Sequence, residues 1–175
     1  MIKLQNGDCL ELMKDIPDKS IDMILADLPY GTTSCKWDTI IPFEPLWEQY
    51  KRVIKDNGAI VLFGSEPFSS HLRLSNLKMY KDDWVWDKEK PTNFFQLKRR
   101  VGKHTEYIHI FYKQQSTYNP QMRKHKGNKV VNNPKAKHNS EVAGPEGKIT
   151  KYNDTRFRYP KDVIQFNRLP LREDV

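Results

Sequence analysis

Asp27-Leu28-Pro29-Tyr30 brings together, within four residues, an acid, a backbone carbonyl next to a proline, and an aromatic ring. An amino group attached to a planar heteroaromatic ring is a poor nucleophile, because its lone pair is delocalised into the ring. A carboxylate at Asp27 accepting one N–H, and the carbonyl beside Pro29 accepting another, would turn that nitrogen toward an electrophilic methyl carbon and stabilise the positive charge developing on it. Tyr30 offers a stacking face, and Pro29 stiffens the turn between acid and ring. Asp27, Leu28, Pro29 and Tyr30 are therefore the candidate catalytic residues for methyl transfer to an exocyclic amine. A tetrad this short also arises by chance at ordinary strand-terminal turns, so its surroundings decide its meaning.

Those surroundings read as alternating strands and helices. Ile2 to Gln5 alternates apolar and polar residues and stops at Asn6-Gly7-Asp8, which predicts a short first strand and a tight loop. Asp8 then caps a short helix carrying Leu10, Leu12, Met13 and Ile16, broken at Pro17. Ile21 to Ala26 reads as a strand buried on both faces near its end, which sets the tetrad at its carboxyl end, the edge of an open parallel sheet where ligands bind. Pro45 opens a helix with Leu46, Trp47, Tyr50, Val53 and Ile54 on one face, and Asn57-Gly58 closes it before the strand Ala59 to Phe63. A helix from about Pro67 to Leu77, a strand around Trp84-Val85-Trp86 and another at Tyr107 to Tyr112 follow, with a loop over Lys88 to Lys103. The expected fold class is α/β, a partial Rossmann-like, mostly parallel sheet with a basic, loop-rich insert. After Lys113 turn signals dominate, Val130-Val131 is the one strand hint, and Tyr159 to Phe166 looks ordered again.

Charge is distributed unevenly over the 175 residues. Between Lys98 and Lys161 there are 16 Lys and Arg against four acids, a net of +12, whereas the remaining 14 basic and 18 acidic residues give −4. A mildly acidic body with a concentrated basic insert suits a surface that neutralises phosphates and releases their counterions. Tyr107, Tyr112, Tyr118, Tyr152, Phe157 and Tyr159 are interleaved with these charges, unlike a merely solvated tail. Nucleic acid is the expected partner. Lys98, Arg99, Arg100, Arg123, Lys124 and Lys126 are the candidate phosphate contacts. A base buried in a duplex cannot present its amine, so it must be swung out onto an aromatic ring, and Tyr30 is the candidate. Cys9 and Cys35 form neither a disulfide framework nor a zinc site, and the five histidines are scattered, so no metal is expected. No run suffices to cross a bilayer and the polar amino terminus lacks the core of a signal peptide, which predicts a cytoplasmic protein. Trp47 and Trp86 read as core residues, and Trp37 as a pocket-lining candidate.

The segment from Asn6-Gly7-Asp8-Cys9-Leu10 through Ser20-Ile21-Asp22-Met23-Ile24-Leu25-Ala26-Asp27-Leu28-Pro29-Tyr30-Gly31-Thr32-Thr33 resembles the amino-terminal part of the DNA amino-methyltransferases acting at adenine N6 or cytosine N4, most closely bacterial and phage adenine methylases. Phe63-Gly64-Ser65-Glu66-Pro67-Phe68, Trp86-Asp87-Lys88-Glu89-Lys90-Pro91-Thr92-Asn93-Phe94, and Tyr159-Pro160 with Val163-Ile164 resemble later blocks of that family. The resemblance implies S-adenosylmethionine as cofactor, with Asp8, Asp27 and Gly64 at its site, Asp8 meeting the adenine part. It implies double-stranded DNA as partner, target recognition in the basic insert, and a setting in DNA methylation and restriction-modification.

Two departures carry consequences. Leu28 stands where the family usually has proline, a change the position tolerates because it acts through its carbonyl. In the permuted group that begins with the tetrad, a His-Pro-Thr-Gln-Lys-Pro segment and a glycine-rich Phe-x-Gly-x-Gly loop follow the recognition region, and neither occurs here. The expectation is a truncated or split methyltransferase: residues 1–113 a catalytic half, 114–161 the recognition region, and 162–175 a tail where the cofactor-motif part would begin. The alternative is a non-catalytic DNA-binding remnant or subunit. A complementing carboxyl-terminal chain or a homodimer would be its partner.

Overall fold

The computed structural model describes residues 2–124 and 157–166. Two units emerge, one of residues 1–118 with 162–175 and one of residues 119–161. In the second, the described residues form an antiparallel pair, β5 (Arg123–Lys124) with β6 (Phe157–Arg158), in the register Arg123↔Arg158 and Lys124↔Phe157.

The first unit begins with a departure from expectation. Ile2 to Gln5 is irregular, and Ile2 and Leu4 lie in solvent. A strand needs a neighbour to satisfy its backbone groups, and none lies beside this segment among the described residues. Asp8 caps α1 (Cys9–Met13), its Oδ1 accepting from the Leu10 amide at 2.8 Å. The expected strand is present as β1 (Ile21–Asp27), but it is not buried on both faces: Met23 and Leu25 are 56% and 58% exposed. The reason is alternation: Ile24 and Ala26 pack against the core, and Met23 and Leu25 lie on the opposite face of this strand, which sits at the end of the sheet.

Helix α2 (Phe43–Val53) starts two residues before Pro45 and buries Leu46, Trp47, Tyr50 and Val53. Asn57-Gly58 does not close it. The helix ends at Val53 and the chain passes directly into β2 (Ile54–Gly64), which contains Asn57 and Gly58. The pairing with β1 slips between Ile21↔Ile54 and Met23↔Ala59, so an irregularity inside the ladder absorbs the turn-forming residues. Then come α3 (Phe68–Ser75), β3 (Tyr80–Asp87), a 3-10 turn at Phe94–Gln96, β4 (Thr105–Phe111) and β7 (Val163–Gln165).

The sheet order is β1-β2-β4-β3-β7, with β1 parallel to β2, β3 parallel to β7, and β4 antiparallel to both its neighbours. Ile60, Leu62 and Phe111 of the sheet pack with Leu46 and Trp47 of α2 and with Phe68 and Leu72 of α3. Trp47 lies 4.9 Å from the Phe111 ring and donates its indole N–H to Ser75 Oγ at 2.7 Å, as a core tryptophan should. Among the described residues no helix is long and apolar enough to cross a membrane.

Arg52 ties α1 to this core. Its guanidinium donates to the carbonyls of Met13 at 2.6 Å and Ile16 at 2.7 Å, and pairs with Asp18 at 2.5 Å. Met13 ends α1, and its carbonyl also accepts from the Ile16 amide at 3.0 Å, so the guanidinium clamps the turn that follows the helix. Arg52→Ala is expected to lower stability by about 2 kcal/mol, because charge-assisted bonds to several acceptors go at once. A shift in the urea midpoint, with exchange of the α1 amides rising more than that of β2, checks it.

Candidate active site at the sheet edge

The strand directions bring the ends of β1, β2 and β3 and the start of β4 to one edge. Register fixes the neighbours: Asp27 pairs with Phe63, Gly64 with Tyr107, and Trp86 with Glu106. The tetrad sits here. Asp27 is exposed, Leu28 is buried in the core, and Pro29 and Tyr30 are half-buried. The backbone turns so that Tyr30 folds back on Asp27, its hydroxyl 2.7 Å from Asp27 Oδ1. One face of the Tyr30 ring stacks on Phe68, with centroids 5.1 Å apart and planes 27° apart.

A second acid meets the same hydroxyl. Glu106, buried at the start of β4, places Oε1 2.7 Å from Tyr30 Oη. A phenol has one proton, so it donates to one carboxylate at a time or divides the bond between two. Burial first, then the two carboxylates, holds the Tyr30 hydroxyl far above its ordinary pKa, so it stays a donor. Glu106 Oε2 pairs with Lys88 Nζ, which also lies 5.0 Å over the Trp86 ring. Lys88, Trp86, Thr92, Phe94 and Phe166 line a cavity of 490 Å³. Trp86, expected in the core, is thus a wall of this hollow, and its indole N–H is buried without an acceptor among the described residues. Its place near the end of β3 explains the difference.

Glu106 and Lys88 were not among the residues singled out by sequence, though Glu106 left a trace there. It is the only acid between Lys98 and Ser140, in the middle of the basic region and inside an otherwise strand-forming run.

Beyond the tetrad, the loop is anchored by Asp38. Its carboxylate accepts from the amides of Gly31 at 2.8 Å, Thr32 at 2.9 Å and Thr33 at 2.7 Å, and from Thr33 Oγ1 at 2.8 Å. Gly31 has φ 66°, and a Cβ there would lie 2.9 Å from Ile40, so the turn requires glycine on both counts. Trp37, next to Asp38, is 74% exposed and does not line the cavity. A bulky side chain on a loop has no wall to join when its neighbours also face solvent.

Of the residues the resemblance places at a cofactor, Asp8 and Asp27 are exposed carboxylates, chemically suited to accept from amine or hydroxyl groups. Gly64 is buried, and a Cβ on it would lie 2.6 Å from Ser69 Oγ and 2.8 Å from His109 Nε2. The space left by its missing side chain is filled by protein. His109 Nε2 is 2.9 Å from Ser69 Oγ and its Nδ1 is 2.5 Å from Asp83 Oδ1, while Asp83 also receives Arg73 at 2.9 Å. Burial lowers the His109 pKa against the opposing pull of Asp83. Ser69 and His109 are fully buried, so this chain of bonds is a brace under the site. Lys98, Arg99 and Arg100 lie exposed on the 88–103 loop, and Arg123 and Lys124 are exposed on β5 in the second unit. Lys126 lies outside the described residues, as do Val130 and Val131. No cluster of potential metal ligands occurs among the described residues.

The fold is that of the Rossmann-like methyltransferases. The structure of the PvuII DNA methyltransferase, cytosine-N4-specific, matches with a TM-score of 0.55 at 12% identity, covering 94% of this chain and 56% of that one. The M1.HpyAVI–SAM complex matches at 0.52 with 23% identity, covering 75% and 63%. The pattern of the N6/N4 DNA methylase family matches residues 21–171, and the chain belongs to that family. Among curated relatives, the type II methyltransferase M.HinfI of Haemophilus influenzae is 29% identical over an aligned region that covers 56% of this chain and 34% of that protein. M.BamHI of Bacillus amyloliquefaciens is 29% identical over an aligned region that covers 47% of this chain and 22% of that protein. The chain thus spans about a third or less of these curated relatives.

The bonds from Thr33 and the loop amides push the Asp38 carboxyl down to about 2. Its contribution to loop order is expected in full above the ordinary aspartate pKa of about 4, and is lost as pH falls through about 2. Amide exchange of Gly31 to Thr33 against pH checks this, and Asp38→Asn should free the same amides at neutral pH.

Proposed function

We propose that this chain carries the amine-binding half of a DNA amino-methyltransferase, acting at adenine N6 in preference to cytosine N4. The carrying observation is the hydroxyl of Tyr30 set between Asp27 and Glu106. Two acids share one phenolic proton, so the site is short of a donor. An exocyclic amine supplies it: one N–H goes to Asp27, the other to the Leu28 carbonyl, and the Tyr30 hydroxyl then serves Glu106 alone. The base stacks on the side of the Tyr30 ring away from Phe68. Developing positive charge on the nitrogen is met by the Asp27 carboxylate, which later accepts or relays the released proton. S-adenosylmethionine supplies an electrophilic methyl group when bound. Asp8 and Asp27 are the residues here that would hold it. The basic region 114–161 would be the target-recognition segment, with Arg123, Lys124 and Lys126 on duplex phosphates.

The experiment is transfer of labelled methyl from S-adenosylmethionine to duplex DNA, followed by nucleoside analysis to separate N6-methyladenine from N4-methylcytosine. Asp27→Ala is expected to lower incorporation at least about 100-fold. Tyr30→Phe keeps the ring and costs about tenfold, and Glu106→Gln, which leaves Lys88 without a counter-charge, costs a similar factor. Incorporation indifferent to Asp27→Ala refutes the assignment.

A second reading, a DNA-binding subunit of a split enzyme, is favoured by the outer edge of β1. That edge has no strand beside it among the described residues, and Met23 and Leu25 are exposed on one face of the strand that bears it. Such an edge is a template for a further strand. On this reading the chain alone binds duplex DNA but gives no heat with S-adenosylmethionine. Adding a polypeptide bearing the glycine-rich Phe-x-Gly-x-Gly part restores cofactor binding and protects the β1 amides from exchange.

A further inference from the structure

The loop between β3 and β4 is more ordered than its composition suggests. Asn93 closes its neck: Nδ2 donates to the Val101 carbonyl at 3.0 Å, and Oδ1 accepts from the Lys103 amide at 2.7 Å. The Thr92 amide donates to the Lys103 carbonyl at 2.9 Å beside them. Within the loop, the Gln96 carbonyl accepts from the amides of Arg99 at 2.8 Å and Arg100 at 3.0 Å.

This scaffold holds up an unusual surface. Phe95 is 88% exposed, and its ring is backed by Phe94 with centroids 3.9 Å apart. Val101 and Leu97 are exposed alongside. Lys98, Arg99 and Arg100 are exposed too, and none has a carboxylate partner among the described residues. An aromatic side chain held in water on a hydrogen-bonded loop, beside three unneutralised cations, matches a polyanion that also offers an apolar slot. Duplex DNA is such a partner, its phosphates outside and its base stack within.

The loop's root leads to the site already described. Phe94 lines the cavity together with Lys88, Lys88 pairs with Glu106, and Glu106 meets the Tyr30 hydroxyl. A base drawn out to Tyr30 leaves a gap in the duplex one ring thick. We infer that Phe95 is a wedge that enters the base stack at this gap, while Lys98, Arg99 and Arg100 hold the flanking phosphates. The inference rests on the DNA reading above and assigns the loop a role in stabilising the opened duplex, apart from sequence recognition.

An abasic site provides the gap ready-made and needs no knowledge of the target sequence. The test compares binding of the full chain to an intact duplex and to the same duplex with one central abasic nucleotide, over a salt series. The wild type should prefer the abasic duplex about tenfold, as expected for one stacked aromatic ring. Phe95→Ala should reduce that preference below about twofold while leaving affinity for the intact duplex within about twofold. Because Phe95 is mostly in solvent, this variant should keep the wild-type circular dichroism and thermal midpoint. Replacing Lys98, Arg99 and Arg100 together by Gln should weaken both duplexes in parallel and flatten the salt slope by about three, with the preference retained. A preference that survives Phe95→Ala, or DNA binding without any preference, overturns the wedge and leaves the methyltransferase reading standing. Failure of the wild type to bind either duplex at low salt overturns both. Anionic phospholipid vesicles captured by the wild type in place of DNA, and released by Phe95→Ala, assign the loop to a membrane surface and overturn the wedge.

Discussion

One proton lies between two acids at the edge of the sheet. The Tyr30 hydroxyl is 2.7 Å from both Asp27 and Glu106, and it satisfies only one of them fully at any moment. Buried Glu106 has a second source of compensation in Lys88, whereas Asp27 faces solvent and, among the described residues, has Tyr30 alone as a donor. The asymmetry matters, because desolvated charge without a partner is costly and exposed charge is not. Glu106 is therefore the fixed member, tied to Tyr30 on one oxygen and Lys88 on the other. Asp27 is the member free to exchange its donor. A ligand bearing N–H groups can enter without uncovering a buried charge, since it takes over a bond that water can also serve.

The surrounding structure keeps those three side chains in register. Phe68 backs the Tyr30 ring, and the residue that follows it, Ser69, begins the chain through His109 to Asp83, Arg73 and Glu66. That chain links α3 to β3 and β4 across the core. Its histidine is kept toward the neutral form by burial, so it braces the packing as a hydrogen-bonding group. On the other side of the tetrad, Asp38 gathers three successive amides, which is why a loop of small polar residues holds a defined path at the site.

What could be read from the sequence was set by local forces. The Asp8 cap, the buried face of α2 and the strands around Trp84 and Tyr107 follow from capping and side-chain alternation, which act over a few residues. The tetrad at a strand's end was legible for the same reason. Ile2 to Gln5 had the alternation of a strand but no neighbour, and Asn57-Gly58 had the composition of a turn but was taken into a ladder irregularity opposite β1. Both outcomes depend on what lies alongside in space. The partnership of Tyr30 with Glu106, 76 residues away, depends on the sheet order bringing β4 beside β2 and β3. No spacing rule reaches that far, and Lys88 is recognisable only once Glu106 is in place.

The clasp made by the Asn93 side chain implies modularity. Its bonds go to main-chain atoms at the base of the loop, so they make no demand on which side chains occupy the span from 94 to 100. Evolution is thereby free to exchange that tip as a cassette, changing its reach or its chemistry, while the strands on either side keep their alignment and the tyrosine its support.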